Sequence, residues 1–241
     1  MRAKATSGRK CGLQERVGWI ARALKERYKD FDHYNRKNPL EELLFILCSV
    51  QTDEEKYRRT FAALRRAFPR FVDLASASAR AIAKPLKPGG LSPTKSRAIR
   101  KICAGIQARF GKVTLAPLRR MSNEDCEAFL TSLPGVGTKV ARCVMMYSLA
   151  REVFPVDTHC WRICRRLGWV RPTSRDGVCS KRDMDRLQEK IPSEWRFSLH
   201  VNMISLGREM CGHDTRRCEV CPLKGLCRSA QMRQPSRAQQ I

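Results

Sequence analysis

The sequence predicts an all-α protein, on three observations. Apolar residues recur at three- and four-residue intervals through most of the chain, and residues suited to helix N-caps stand just ahead of several of these runs. No segment sustains the period-two alternation of a half-buried strand. The chain has 241 residues, 42% of them hydrophobic, enough for one large domain or two small ones with real cores.

Residues 1 to about 12 and 229 to 241 are polar and predict frayed tails. In NPLEELLFILCSV, Asn38 suits the cap and Pro39 the first helical position, while Glu41 and Glu42 suit the positive end of the helix dipole. Leu40, Leu43, Leu44 and Leu47 then predict one apolar stripe. EEKYRRTFAALRRAF predicts a helix with Tyr57, Phe61, Leu64 and Phe68 inward and its arginines outward. PLKPGGLSP interrupts the pattern before TKSRAIRKICAGIQARFG starts another helix. Ser122 caps SNEDCEAFLTSL, LPGVG ends it, and TKVARCVMMYSLA resumes at once, with Val140, Val144, Tyr147 and Ser148 as the expected core stripe. DTHCWRICRRLGW, SKRDMDRLQEK and SEWRFSLHVNMISLGREM supply three more helices, with Asp157, Ser180 and Ser193 as caps. There is no internal repeat.

Lys and Arg number 48 against 23 Asp and Glu, a net charge of +25 and a pI of about 10.2. A surplus of that size points to a polyanionic partner, and nucleic acid is the commonest. No apolar run reaches the roughly 18 to 20 residues of a membrane span. The opening MRAKATSGRKCG is basic without an apolar core, so no secretory signal is expected. Twelve cysteines in such a chain suggest a reducing compartment, where close clusters bind metal more often than they form disulfides.

Four of those cysteines fall in CGHDTRRCEVCPLKGLC: Cys211, Cys218, Cys221 and Cys227, spaced C-x6-C-x2-C-x5-C. Four thiolates converging on one point can ligate a tetrahedral zinc or a cubane iron–sulfur cluster. Zinc sites usually pair their ligands in two short knuckles, and here only Cys218 and Cys221 form one, which suits the larger footprint of a [4Fe–4S] cube. Two disulfides are the bland alternative. Arg216, Arg217 and Lys224 lie in the same loop, so folding it around metal would fix cations on a small surface able to grip phosphates.

LPGVGTK joins two helices without a spacer. Gly135 and Gly137 permit positive φ, and their missing side chains let a phosphate approach the amides of Val136, Gly137 and Thr138 where the next helix opens. Lys139 falls in the first turn of that helix, beside apolar surface and near the positive helix end, conditions that lower an amine's pKa toward that of a nucleophile. A plain phosphate-contacting lysine is the alternative. Asp157 opens a later helix, where it can serve as a simple cap or as a carboxylate that moves protons.

LPGVGTK, then VDTH, then C-x6-C-x2-C-x5-C, in that order, resemble the endonuclease III branch of the helix-hairpin-helix DNA glycosylases over roughly residues 20 to 228. The resemblance implies a two-lobed all-α fold: a tail and helix in 1–36 packing on the iron–sulfur lobe, a six-helix domain over 37–153, and the cluster domain and tail over 154–241. It implies a bifunctional glycosylase and AP lyase, acting as a monomer on double-stranded DNA with a modified base or abasic site. Lys139 would attack the sugar, Asp157 would assist, and Cys211, Cys218, Cys221 and Cys227 would hold a [4Fe–4S] cluster. SVQTD is similar to the segment that ends a helix with a base-replacing glutamine, here Gln51, although the usual Q-A-T-D is shortened to Q-T-D. Thr138 stands where many relatives have a basic residue, and Arg142 where many have asparagine. FPVDT and RRLGWV are also similar to Demeter-type glycosylases, which remove 5-methylcytosine.

Overall fold

The computed structural model describes residues 12–232; the predicted frayed ends, 1–11 and 233–241, lie outside them. In chain order its helices are α1 (Leu13–Tyr28), α2 (Pro39–Ser49), α3 (Glu54–Ala67), α4 (Phe71–Ser76), α5 (Ala79–Leu86), α6 (Ser92–Phe110), α7 (Asn123–Ser132), α8 (Thr138–Leu149), α9 (Thr158–Leu167), α10 (Lys181–Lys190), α11 (Ser193–Glu209) and α12 (Arg228–Gln231). No strand occurs among the described residues, and the one extended pairing is an isolated bridge between Cys211 and Arg216. None of these helices is long and apolar enough to cross a membrane.

The chain divides into two compact units, His33–Pro155 and a discontinuous unit joining the residues through Asp32 to those from Val156 onward. The continuous unit is built on α2. Asn38 caps it by accepting hydrogen bonds from the amides of Leu40 and Glu41 at 2.9 and 3.2 Å. The predicted single apolar stripe proves too narrow, because Phe45, Ile46, Cys48 and even Glu42 are buried as well as the leucines. A helix hydrophobic nearly all round is a core helix, and each fully buried Leu or Phe contributes about 1.5–3 kcal/mol. Phe45 meets Tyr57 and Phe61 of α3 edge-on, at ring-centroid distances of 5.1 and 5.3 Å.

The 37–153 segment carries seven α-helices where the resemblance implies six; the six-residue α4 is too short to declare a period in the sequence. In α8 the expected stripe is met at Val144 and Ser148, which are buried, but not at its other two positions. Ala141, Arg142, Cys143, Val144, Met145 and Met146 are buried, while Val140 and Tyr147 are only half-buried, because α8 packs on α2 along one side and α7 along another.

In the discontinuous unit α1 lies along α11. Asn202 donates to Asp30 at 2.7 Å, Tyr28 donates to Glu209 at 2.7 Å, and Arg16 reaches the Leu226 carbonyl at 3.3 Å. Three caps follow expectation: Ser122 accepts from the Asp125 amide, Asp157 from Cys160 and Ser180 from Asp183. Ser193 does not cap α11; Pro192 stands at that position without a side-chain hydrogen bond. The chain predicted to fray from 229 instead begins with α12, whose Ala230 is buried.

Candidate functional site

The LPGVG turn is set by the burial of Leu133 and Val136, which drive its two apolar corners into the core, and by the Val136 amide donating to the Leu133 carbonyl at 3.1 Å. Gly135 has the left-handed φ of +80° that the turn requires. Gly137 does not share it: its φ of −89° is open to any residue, and its contribution is open space, since a Cβ there would meet nothing within 4 Å. Gly137 is also the N-cap of α8 and offers no side-chain cap, so the amides opening that helix face a place an anion can approach. Thr138 and Lys139 stand half-buried in this first turn.

Arg142 is buried in an ion pair with Glu127 of α7, its Nε 2.7 Å from Oε2, which braces the two helices on either side of the turn. Arg151 adds a second brace, donating to the carbonyls of Arg119 and Met121 at 3.1 and 2.8 Å. The hairpin therefore reaches Lys139 from a rigid base.

Gln51 is exposed immediately after α2, with a left-handed φ of +50°. The shortened Q-T-D leaves it at the tip of a bend whose next residues are both engaged. Thr52 donates its hydroxyl to the Gly89 carbonyl at 2.7 Å, and Asp53 caps α3 through the Lys56 amide at 3.0 Å.

Lys139 and Asp157 belong to different units. One carboxylate oxygen of Asp157 accepts from the Cys160 amide at 2.7 Å, so the side chain is a cap whatever else it does. Burial lowers the pKa of His159, and Arg162 approaches its Nδ1 at 2.8 Å.

The cysteine loop leans on two arginines of α9 that motif reading did not single out. Arg162 donates to the Cys211 carbonyl at 2.9 Å, and Arg166 to the Gly212 and His213 carbonyls at 2.8 and 3.1 Å and to the Cys211 sulfur at 3.0 Å. Their i, i+4 spacing in RICRR was visible in the sequence, but nothing there said which loop they would meet. Of the four cysteines proposed from the sequence, Cys221 lies within electrostatic reach of Cys211, Cys218 and Cys227. The Cys221 thiol is pushed up chiefly by burial; a hydrogen bond with the Leu223 backbone works against this, and the other three thiols add to it. As a donor set the four suit thiolate ligation, yet among the described residues no three His, Cys, Asp or Glu side chains gather into a group that could hold a metal ion. Of the loop cations, Arg217 and Lys224 are exposed, whereas Arg216 is half-buried and turned toward the Ser229 hydroxyl at 3.5 Å.

A groove of about 1140 Å³ runs along α9 from Asp157 toward Gly168 and Arg228. Arg162, Arg165, Arg166, Arg171, Arg216 and Arg228 line it against Asp157, Asp176 and Asp214, a basic surface suited to phosphates.

Comparison with known proteins places this geometry. A profile of the HhH-GPD superfamily of base excision DNA repair proteins matches residues 45–189. Endonuclease III of Bacillus subtilis is 30% identical over 196 residues, 81% of this chain and 84% of that one. A candidate DNA glycosylase of Arabidopsis thaliana is 36% identical over 169 residues; the match spans 70% of this chain but only 56% of the plant protein. Among solved structures, a trapped endonuclease III–DNA covalent intermediate, an estranged-adenine complex, aligns with a TM-score of 0.77 at 25% identity, over 92% of this chain and 98% of that one. The chain belongs to the HhH-GPD superfamily of base excision DNA repair proteins.

Proposed function

We propose that this chain is a bifunctional DNA glycosylase and AP lyase that removes an oxidised pyrimidine from duplex DNA through a covalent lysine intermediate. The observation that carries the reading is Lys139 in the first turn of α8, straight after a glycine turn that leaves the helix amides uncapped. Its likeness to an endonuclease III trapped covalently on DNA supports the same reading.

In this reading the uncapped amides of Gly137 and Thr138 hold a backbone phosphate beside the lesion, and Gln51 fills the gap left by the flipped base. The neutral Lys139 amine attacks C1′, and the base departs with the electrons of the N-glycosidic bond. Asp157 stabilises the positive charge developing on the sugar and takes up the proton lost by the amine. The C1′–O4′ bond then breaks, O4′ taking a proton, and the iminium that results acidifies the 2′ proton; loss of that proton breaks the C3′–O bond and expels the 3′ phosphate.

Cys211, Cys218, Cys221 and Cys227 would hold a [4Fe–4S] cluster, whose contribution here is cross-linking: it would fix Arg217 and Lys224 at one surface.

Borohydride reduction tests the covalent step. Wild type incubated with duplexes each bearing one modified base, oxidised pyrimidines first and 5-methylcytosine second, is expected to give a reduced protein–DNA adduct with a cleaved substrate. Lys139→Gln is expected to lose the adduct and about 1,000-fold or more of base removal, with duplex affinity within a few fold. Base removal by wild type without any adduct, leaving the abasic strand intact, would show that a water-mediated mechanism operates instead.

A further inference from the structure

The bend that carries Gln51 is held from beneath by a buried cation. Lys95, in the first turn of α6, is only 6% exposed. Its ammonium donates to the Cys48 carbonyl at 2.9 Å, the Thr52 hydroxyl oxygen at 2.9 Å and the Gly89 carbonyl at 3.0 Å. Three donors meet three acceptors, and none of them is a carboxylate.

Each acceptor has a reason to be there. Cys48 lies in the last turn of α2, where carbonyls lack an intrahelical partner and the helix dipole is negative, so a cation is welcome. Gly89 sits in the turn after α5 and is pressed against Thr60, with a Cβ there only 2.9 Å from the threonine hydroxyl, so its carbonyl is an immobile post. Thr52 follows Gln51 directly. The ammonium thus ties the residue three before Gln51 and the residue one after it to a fixed third point.

Burial lowers the pKa of this lysine, a sign that holding the charge there is unfavourable by itself. A methionine would fill the same volume without that cost. It would also leave the Cys48 carbonyl without a donor and free the bend.

We propose that Lys95 is a positioning residue that keeps Gln51 in its left-handed, outward conformation, so that the side chain is already set to enter the duplex when the base leaves. This rests on the reading of Gln51 as the residue that fills the vacated stack. A side chain held in place before binding loses less freedom when it inserts, and misplacement by an ångström is enough to slow a step by an order of magnitude or more.

The test compares Gln51→Ala, Lys95→Met and the double variant on two substrates, with hydrogen exchange of segment 48–53 measured on the free proteins. One substrate carries the damaged base beside 2-aminopurine, whose fluorescence reports unstacking; the other carries a ready-made abasic site. Lys95→Met is expected to exchange faster at 48–53, to lose the fluorescence rise and to excise the base about tenfold more slowly. Cleavage at the abasic site should stay within about twofold, because no base has to be displaced there. The double variant should be no slower than the worse single one. Thr52→Val removes the hydroxyl's ties to Lys95 and to Gly89 but leaves the ammonium on the Cys48 and Gly89 carbonyls, with less risk to folding; it should shift every readout the same way by a smaller amount, and decides the question if Lys95→Met does not fold. A Gln51→Ala protein as fast as wild type would overturn the stack-filling role and this proposal with it. A slowed Gln51→Ala beside unimpaired Lys95→Met and Thr52→Val proteins, or singles whose effects add fully, would overturn the proposal alone.

Discussion

The turn ahead of α8 leads into Lys139, the cysteine loop after α11 carries cations of its own, and the two are held in opposite ways. The turn is anchored from inside: Leu133 and Val136 are buried, and Arg142 meets Glu127 beneath it. The loop buries only Leu223 between Cys211 and Cys227, and its first carbonyls are gripped from outside by Arg162 and Arg166. A connection that buries its own apolar corners and is braced by the helices it joins can hold the residue after it in place. One that buries almost nothing depends on donors supplied by another element, or on a cross-link.

The largest effect expected in the free protein comes from removing the brace under the turn. The guanidinium of Arg142 is 3% exposed and the Glu127 side chain 16%. Glu127→Ala takes two hydrogen bonds from a cation that cannot reach water, and breaking a buried pair on one side costs about 3–5 kcal/mol. Urea unfolding should show that loss in the continuous unit, with hydrogen exchange at 133–140 accelerated and exchange in the cysteine loop unchanged. A change below 1 kcal/mol would mean that apolar burial alone fixes the turn.

A second contrast is in pH. Glu42 is buried on α2, with one oxygen accepting from the Arg36 amide at 2.6 Å and the other without a hydrogen-bond partner. Burial is the main cause that pushes its carboxyl up to about 7 from an ordinary 4.5. Between those values the folded chain holds a proton that the unfolded chain has lost, so stability falls as pH rises through the window, by about 3 kcal/mol in all. Glu42→Gln keeps the hydrogen bond without the charge. It should flatten that slope in a pH series of thermal or urea unfolding and stabilise the protein at pH 8. An unchanged slope would place the titration elsewhere.

These contrasts also explain what could be read from the sequence. Helices with a cap and a period, such as α2 after Asn38 and α9 after Asp157, are local facts and were legible. The breadth of burial on α2 and α8 was not, because a helix surrounded by neighbours shows no polar face to mark where its stripe ends. Ser193 suits a cap by residue type, yet the chain enters α11 through Pro192, whose ring already fixes the approach. The turn and the thiols announced themselves as motifs. Lys95, Glu127 and Arg166 did not: each has a partner 15 or more positions away, Lys95 at Cys48, Glu127 at Arg142 and Arg166 at Cys211, a relation that exists only after folding.

The smallest effects separate the loop's three cations. Arg217 and Lys224 are exposed, whereas Arg216 lines the groove along α9 and is turned toward Ser229. If the loop grips DNA through its exposed face, Arg217→Ala and Lys224→Ala should each weaken binding to any duplex by a few fold and reduce the slope of log affinity against log salt by about one unit. Arg216→Ala should change the salt slope by less than either, because a half-buried guanidinium turned toward a hydroxyl is less available to a phosphate. Titrations of one undamaged duplex at several salt concentrations measure all three. Equal slopes for wild type, Arg217→Ala and Lys224→Ala would mean that the loop faces away from DNA. A larger change for Arg216→Ala would move the phosphate contact into the groove, where Arg165, Arg171 and Arg228 would then be the next residues to replace.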